Sequence, residues 1–216
     1  MTGAVIAGEF LAFPFLRDCG TNRAMQENDN HVSERNGRPR KARKPLDSKG
    51  FEEIALAYVA RFSTTSTKLE SYLARKLRER GWDADSGPMP DPAVISARFV
   101  ALGYVDDAAY ARARAGGLLR RGYGPRRISQ ALSAAGVDAA DRADVAPDAV
   151  AERQAALILA RKRRFGPFGP GEPDRKLREK QIAAMLRAGH RLENACALVD
   201  AQTVDDAVEW AGQCYD

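Results

Sequence analysis

The sequence predicts an all-α protein: tandem repeats of three-helix units in an elongated array, preceded by a disordered N-terminal arm. Three observations predict it. From Lys49 onward, apolar residues recur every three or four positions, the spacing of one helix face. The helix endings repeat a single pattern, an apolar residue followed four positions later by glycine and then by a packing residue. It occurs at Leu77, Gly81 and Trp82; at Phe99, Gly103 and Tyr104; at Leu132, Gly136 and Val137; and at Met185, Gly189 and His190. Finally, the polar stretch QENDNHVSERNGRPRKARKP cannot bury enough apolar surface to offset chain entropy.

The organisation read from these signals is an arm over 1–48, then helical repeats over 49–90, 91–139 and 140–216, the last with an acidic end. The apolar start of the arm has no basic n-region and is interrupted by Pro14, so it does not read as a signal peptide. The change of composition at Met25 is compatible with translation starting there. In the first repeat, Phe51, Ile54, Ala55, Tyr58, Val59 and Phe62 form one stripe. Thr67 and Glu70 have capping-box spacing, and Leu69, Tyr72, Leu73 and Leu77 share the next helical face.

Asp91 and Pro92 start the helix that stops at Gly103, with Tyr104 folding back on Phe99. Asp106 caps a helix that runs to about Arg121 and breaks at Gly122; Pro125 restarts the chain in a helix ending at Gly136. A long helix is expected from about Asp148 to Arg164. The run FGPFGPGEP is a connector, and a helix from Pro173 to Gly189 follows it. Shorter helices are expected near 192–199 and 204–210.

Charge is sorted rather than large. The net charge is +5, and residues 1–50 hold nine basic and six acidic side chains, which leaves the helical part nearly neutral. Within that part, Arg112, Arg114, Arg120, Arg121, Arg126 and Arg127 fall in one stretch without an acidic residue, and RKRR occupies 161–164. Such blocks suit polyanionic or patchily acidic partners. Cys19, Cys196 and Cys214 lack metal-ligand spacing and fit a reducing cytosol. No apolar run approaches the roughly 18 residues of a membrane span.

The stretches GYVDDAAYA and LLRRGYGPRRISQALSAAGV resemble the core signature of the RecX family, regulators that act on RecA recombinase filaments. The resemblance implies tandem three-helix units. It also implies a monomeric cytoplasmic protein that lies in the groove of RecA–DNA filaments, impedes ATP hydrolysis and strand exchange, and limits co-protease activity. Recombination and the SOS response would thereby be restrained. Arg114 departs from the bulky apolar residue the family more often carries there.

No catalytic constellation is legible. Of the two histidines, His31 lies in the arm and His190 takes the slot after a helix stop, so it reads as a capping or surface-packing residue. Asp106 and Asp107 read as an N-cap and its dipole-complementing neighbour. Gly122, Gly124 and Pro125 lack the preceding strand and third glycine of a dinucleotide loop. The expected protein is therefore neither an enzyme nor a holder of cofactor or metal. Its candidate contacts are Arg120, Arg121, Tyr123, Arg126 and Arg127, then Arg161, Lys162, Arg163 and Arg164; Tyr104 and Tyr110 are assigned to the core. A helix–turn–helix geometry around Gly122 and Pro125 keeps a second reading open, direct binding to single- or double-stranded DNA with Arg126 and Arg127 at phosphates.

Overall fold

A computed structural model describes residues 44–171 and 174–213. Those residues are helical throughout, apart from short turns and one isolated bridge between Leu46 and Trp82. Ten α-helices follow in order: α1 Ser48–Arg61, α2 Ser66–Arg80, α3 Pro92–Ala101, α4 Asp107–Leu119, α5 Pro125–Ser133, α6 Ala139–Asp144, α7 Ala149–Arg163, α8 Arg175–Arg187, α9 Leu192–Val199 and α10 Val204–Gly212.

Three separate apolar cores organise these helices. The first gathers Leu46, Phe51, Leu69, Leu73, Phe99 and Val105 from α1 to α3. The second holds Ala111, Leu118, Ile128, Leu132 and Val137 from α4, α5 and the segments around them. The third joins Leu159, Ile182, Met185, Ala195 and Leu198 from α7 to α9, with Trp210 of α10 against it. At about 1.5–3 kcal/mol for each large side chain removed from water, cores of this size are marginal alone. Each needs its neighbours.

The cores regroup the chain relative to the repeat boundaries expected at 90/91 and 139/140. α3 packs on α2 and shares its core, and α6 packs on α4 and α5. Those boundaries were anchored on helix stops, but a stop ends a helix and need not end a module. Residues 44–105, 106–145 and 146–213 are called modules 1 to 3 below. The arm expected over 1–48 lies outside the described residues except for its last part, which is ordered. Leu46 is 1% exposed and its N–H donates to the Gly81 carbonyl, while the Asp83 N–H donates to the Leu46 carbonyl. Asp47 then caps α1 by accepting from the Gly50 N–H.

The stop pattern holds in three of its four expected places. At Gly103, Gly136 and Gly189 the φ angles are 74°, 78° and 96°. In each case the residue after the glycine donates to the carbonyl five positions back: Tyr104 to Phe99, Val137 to Leu132, His190 to Met185. Gly122 makes the same turn, with Tyr123 donating to Leu118. Gly81 does not, because its ψ of 170° extends the chain so that Trp82 can meet Leu46. Arg164 takes the left-handed position after α7 without being glycine, and Phe165 donates to Ala160.

Other local expectations shift for identifiable reasons. α2 is capped by Thr65 rather than Thr67, whose hydroxyl instead donates to the Gly136 carbonyl at 3.2 Å. Tyr104 covers Phe99 from outside and is 55% exposed, so it is not core. Tyr110 is half-buried and accepts a hydrogen bond from Lys68 at 2.6 Å. The start placed at Pro173 falls outside the described residues; α8 itself begins at Arg175, capped by Asp174.

One docking rule joins successive modules. The stop of each module's second helix sits on the start of the previous module's second helix. Between modules 1 and 2, Thr65 Oγ1 donates to the Ala135 carbonyl at 2.5 Å beside Gly136. Asp107 adds a clamp there, accepting from the Ser66 N–H at 2.8 Å and the Ser66 hydroxyl at 2.6 Å. Between modules 2 and 3, the Gly124 and Arg126 N–H groups donate to the carbonyls of Ala188 and Gly189 at 3.0 and 3.1 Å. The glycines are needed twice over. A Cβ on Gly136 would lie 2.3 Å from Thr67, and one on Gly189 would lie 2.4 Å from the Arg127 nitrogen.

Candidate functional site: a cationic groove between modules 2 and 3

Three helix C-termini meet where module 2 docks on module 3. The turn after α4 brings Arg121 and Tyr123, the end of α7 brings Lys162, Arg163 and Phe165, and the end of α8 brings Arg187 and Ala188. Together with Leu159 and Ala184 they line a groove of about 280 Å³. The close approach follows from a glycine: a Cβ on Gly122 would lie 2.8 Å from the Leu159 nitrogen. Helix C-termini carry partial negative charge, so cations gather there favourably. Four cations line this groove and no carboxylate does. Among the described residues, none of the four stands in an ion pair.

The junction below the groove is held by a buried imidazole. His190 is fully enclosed and its Nε2 lies 3.0 Å from the Gly122 carbonyl. A carbonyl can only accept, so Nε2 carries a proton. Burial pushes its pKa below the usual histidine value, against the weaker opposing pull of the Gly122 bond. The expected capping role holds in the backbone, where the His190 N–H donates to the Met185 carbonyl, but the side chain is interior rather than surface-packing: it ties the turn bearing Arg121 and Tyr123 to module 3.

The structure assembles only some of the residues read from sequence. Arg121, Tyr123, Lys162 and Arg163 line the groove, with Arg121 steadied by donation to the Gly117 carbonyl at 2.9 Å. Arg164 lines an adjoining apolar depression with Arg163, Leu177 and Lys180. Arg161 turns its guanidinium to the Phe168 ring, 5.6 Å away. Arg126 borders a different depression with Ser129, Gln130 and Arg191. Arg120 and Arg127 are exposed and line none of these depressions. Arg187 and Lys180 were missed: Arg187 has no lysine or arginine within three positions, and Lys180 ends the mixed run RKLREK at 175–180, which Glu179 interrupts. The signal that could have found Arg187 is its place two residues before a stop glycine, like Arg120 before Gly122.

Chemically, the groove offers fixed positive charge and two aromatic rings to a partner. Among the described residues, no group of three or more His, Cys, Asp or Glu is placed to hold a metal. No described helix is long and apolar enough to cross a membrane. Helical modules docked in series and presenting charged edges define the class, a tandem helical-repeat protein.

Comparison with known proteins gives that class a family. Residues 106–145 match the family model described as RecX, second three-helix domain. The regulatory protein RecX of Myxococcus xanthus (strain DK1622) is 33% identical over 160 residues, covering 70% of this chain and 84% of that protein. That of Agrobacterium fabrum is 33% identical over 144 residues, covering 66% and 77%. The crystal structure of RecX from Lactobacillus salivarius superposes with a TM-score of 0.54 at 20% identity, over 76% of this chain and 95% of that one. The chain belongs to the RecX family of regulatory proteins.

Proposed function

We propose that this protein acts in the cytoplasm on RecA–DNA filaments, inhibiting RecA ATP hydrolysis, strand exchange and co-protease activity, and so restrains recombination and the SOS response. The observation that carries the proposal is the groove at the module 2–3 junction, where Arg121, Lys162, Arg163 and Arg187 converge without a carboxylate. Arginine and tyrosine are the residue types on which protein interfaces most often concentrate their binding energy. Serial modules add a second effect. A filament repeats its subunits, so two weak contacts on one frame raise avidity by about 10²–10⁴ where the geometry fits.

No chemistry is required of such a ligand. One that binds one filament state in preference to another shifts the population by its differential affinity. The test is DNA-dependent ATP hydrolysis by RecA on single-stranded DNA, with and without this protein. Inhibition at substoichiometric or equimolar protein supports the proposal, and unchanged hydrolysis at saturating protein removes it. The second reading, direct action on DNA, predicts tight binding to DNA without RecA and a steep loss of affinity with salt.

A further inference from the structure

The groove at the module 2–3 junction opens into a second depression that charge alone does not explain. Arg163, Phe165 and Ala184 border both. The second holds about 510 Å³ and adds Arg164, Pro170, Leu177 and Lys180 to the lining. Leu177, Lys180, Ala184 and Arg187 recur at helical spacing along α8 and join the two depressions into one track, about 15 Å long at the rise of an α-helix. The Gln181 side chain, 6% exposed, accepts from the Gly166 N–H at 2.9 Å and so pins the turn that follows Phe165 to α8.

Two observations single this depression out. Leu177 is 46% exposed, and Phe165 and Pro170 line the same hollow, so apolar area faces water there. Arg164 makes a left-handed helix stop, the conformation that Gly103, Gly122, Gly136 and Gly189 supply after α3, α4, α5 and α8. A side chain in that conformation is strained, and strain of this kind collects where function holds it. The residue kept at this cost is a cation lining the depression. Among the described residues no carboxylate lines it, and neither Arg164 nor Lys180 stands in an ion pair.

We propose that this depression receives a bulky apolar side chain from an acidic protein segment, whose flanking carboxylates pair with Arg163, Arg164 and Lys180. The inference deepens the filament reading, on which it rests for the partner's identity, by stating what that partner presents: a leucine- or phenylalanine-sized anchor between acidic residues. Charge and shape choose this occupant together. A polyanion without apolar groups pairs with the cations but leaves Leu177 and Pro170 in water, forgoing the gain of covering them. Nucleic acid is such a polyanion here, since Phe165 is half-buried and the hollow offers no other ring to a base. An apolar segment without carboxylates would cover three cations and leave them unpaired, which is costly.

The test is fluorescence anisotropy with the full chain and no RecA. The probes are the labelled peptide Asp-Asp-Glu-Phe-Leu-Glu-Asp-Asp, the same peptide with Ser-Ser in place of Phe-Leu, and a labelled oligothymidylate. The variants are Leu177→Ser, which removes apolar lining, and Arg164→Gly, which removes a cation while suiting the backbone; circular dichroism confirms that each folds. The Phe-Leu peptide is expected to bind roughly tenfold more tightly than the Ser-Ser peptide. Leu177→Ser is expected to weaken it by roughly 5- to 20-fold. Arg164→Gly is expected to weaken it by roughly 2- to 5-fold without lowering the thermal midpoint. Absent binding of the Phe-Leu peptide, equal affinity of the two peptides, or unchanged affinity in Leu177→Ser overturns the proposal. Oligothymidylate losing as much affinity as the peptide in Leu177→Ser assigns the depression to nucleic acid and overturns it too. A RecA assay without inhibition would remove the filament reading and leave these outcomes untouched.

Discussion

The Nε2 of His190 reaches across the junction to the Gly122 carbonyl, 3.0 Å away, while its Nδ1 has no hydrogen-bond partner among the described residues. Protonating that ring would place a charge and an unpaired N–H in a buried interface. The folded-state pKa lies below the unfolded value, so the unfolded chain binds more protons once pH falls below about 6.5. This contribution to stability is fully present above that pH and is lost as pH falls towards the folded pKa. Thermal unfolding at pH 7.5 and 5.5 is expected to show a lower midpoint at the acid value. His190→Gln, which can still donate an N–H but cannot titrate, is expected to be less sensitive over the same interval.

Two stop glycines separate conformational strain from docking. Gly103 and Gly136 both have positive φ, but a Cβ on Gly103 meets nothing within 4 Å, whereas one on Gly136 runs into Thr67. Gly103→Ala is expected to cost about 1–2 kcal/mol for its left-handed backbone. Gly136→Ala is expected to cost about 2–5 kcal/mol, because overpacking at the module 1–2 interface adds to that strain. Urea unfolding of the two variants checks the order; equal losses would mean that the interface yields freely.

Arg164 holds φ 57° and ψ 51°, a conformation that glycine adopts without penalty. Arg164→Gly is expected to stabilise the fold by about 0.5–1 kcal/mol, the strain relieved being larger than the entropy that glycine adds to the unfolded chain. A raised midpoint in thermal unfolding checks it.

Much of the architecture was legible because one local device, the glycine stop, ends helices in all three modules and leaves a sequence trace at each. The same trace misled at Gly81, where the backbone is set by a partner, Leu46, that lies in a stretch too polar to read as part of a core. α6 was missed because AADRAD carries no apolar stripe; Asp138 caps it by accepting from the Asp141 N–H. The site was legible in halves. Arg121 and Tyr123 on one side, Lys162 and Arg163 on the other, announce themselves as charge runs, but their convergence depends on Gly122 seating against Leu159. Charge density alone could not separate Arg121 from Arg126, since the α4–α5 turn sends the second to another depression. His190 and Asp107 act through contacts between modules, which no local pattern reports.

The most direct measurement is RecA ATP hydrolysis on single-stranded DNA with two charge-reversed proteins of equal helicity. One carries Arg121→Glu, Arg163→Glu and Arg187→Glu in the groove; the other carries Arg120→Glu, Arg126→Glu and Arg127→Glu outside it. Loss of inhibition in the first with retention in the second is the expected result. Full inhibition by the groove variant would contradict the assignment of this junction as the filament contact.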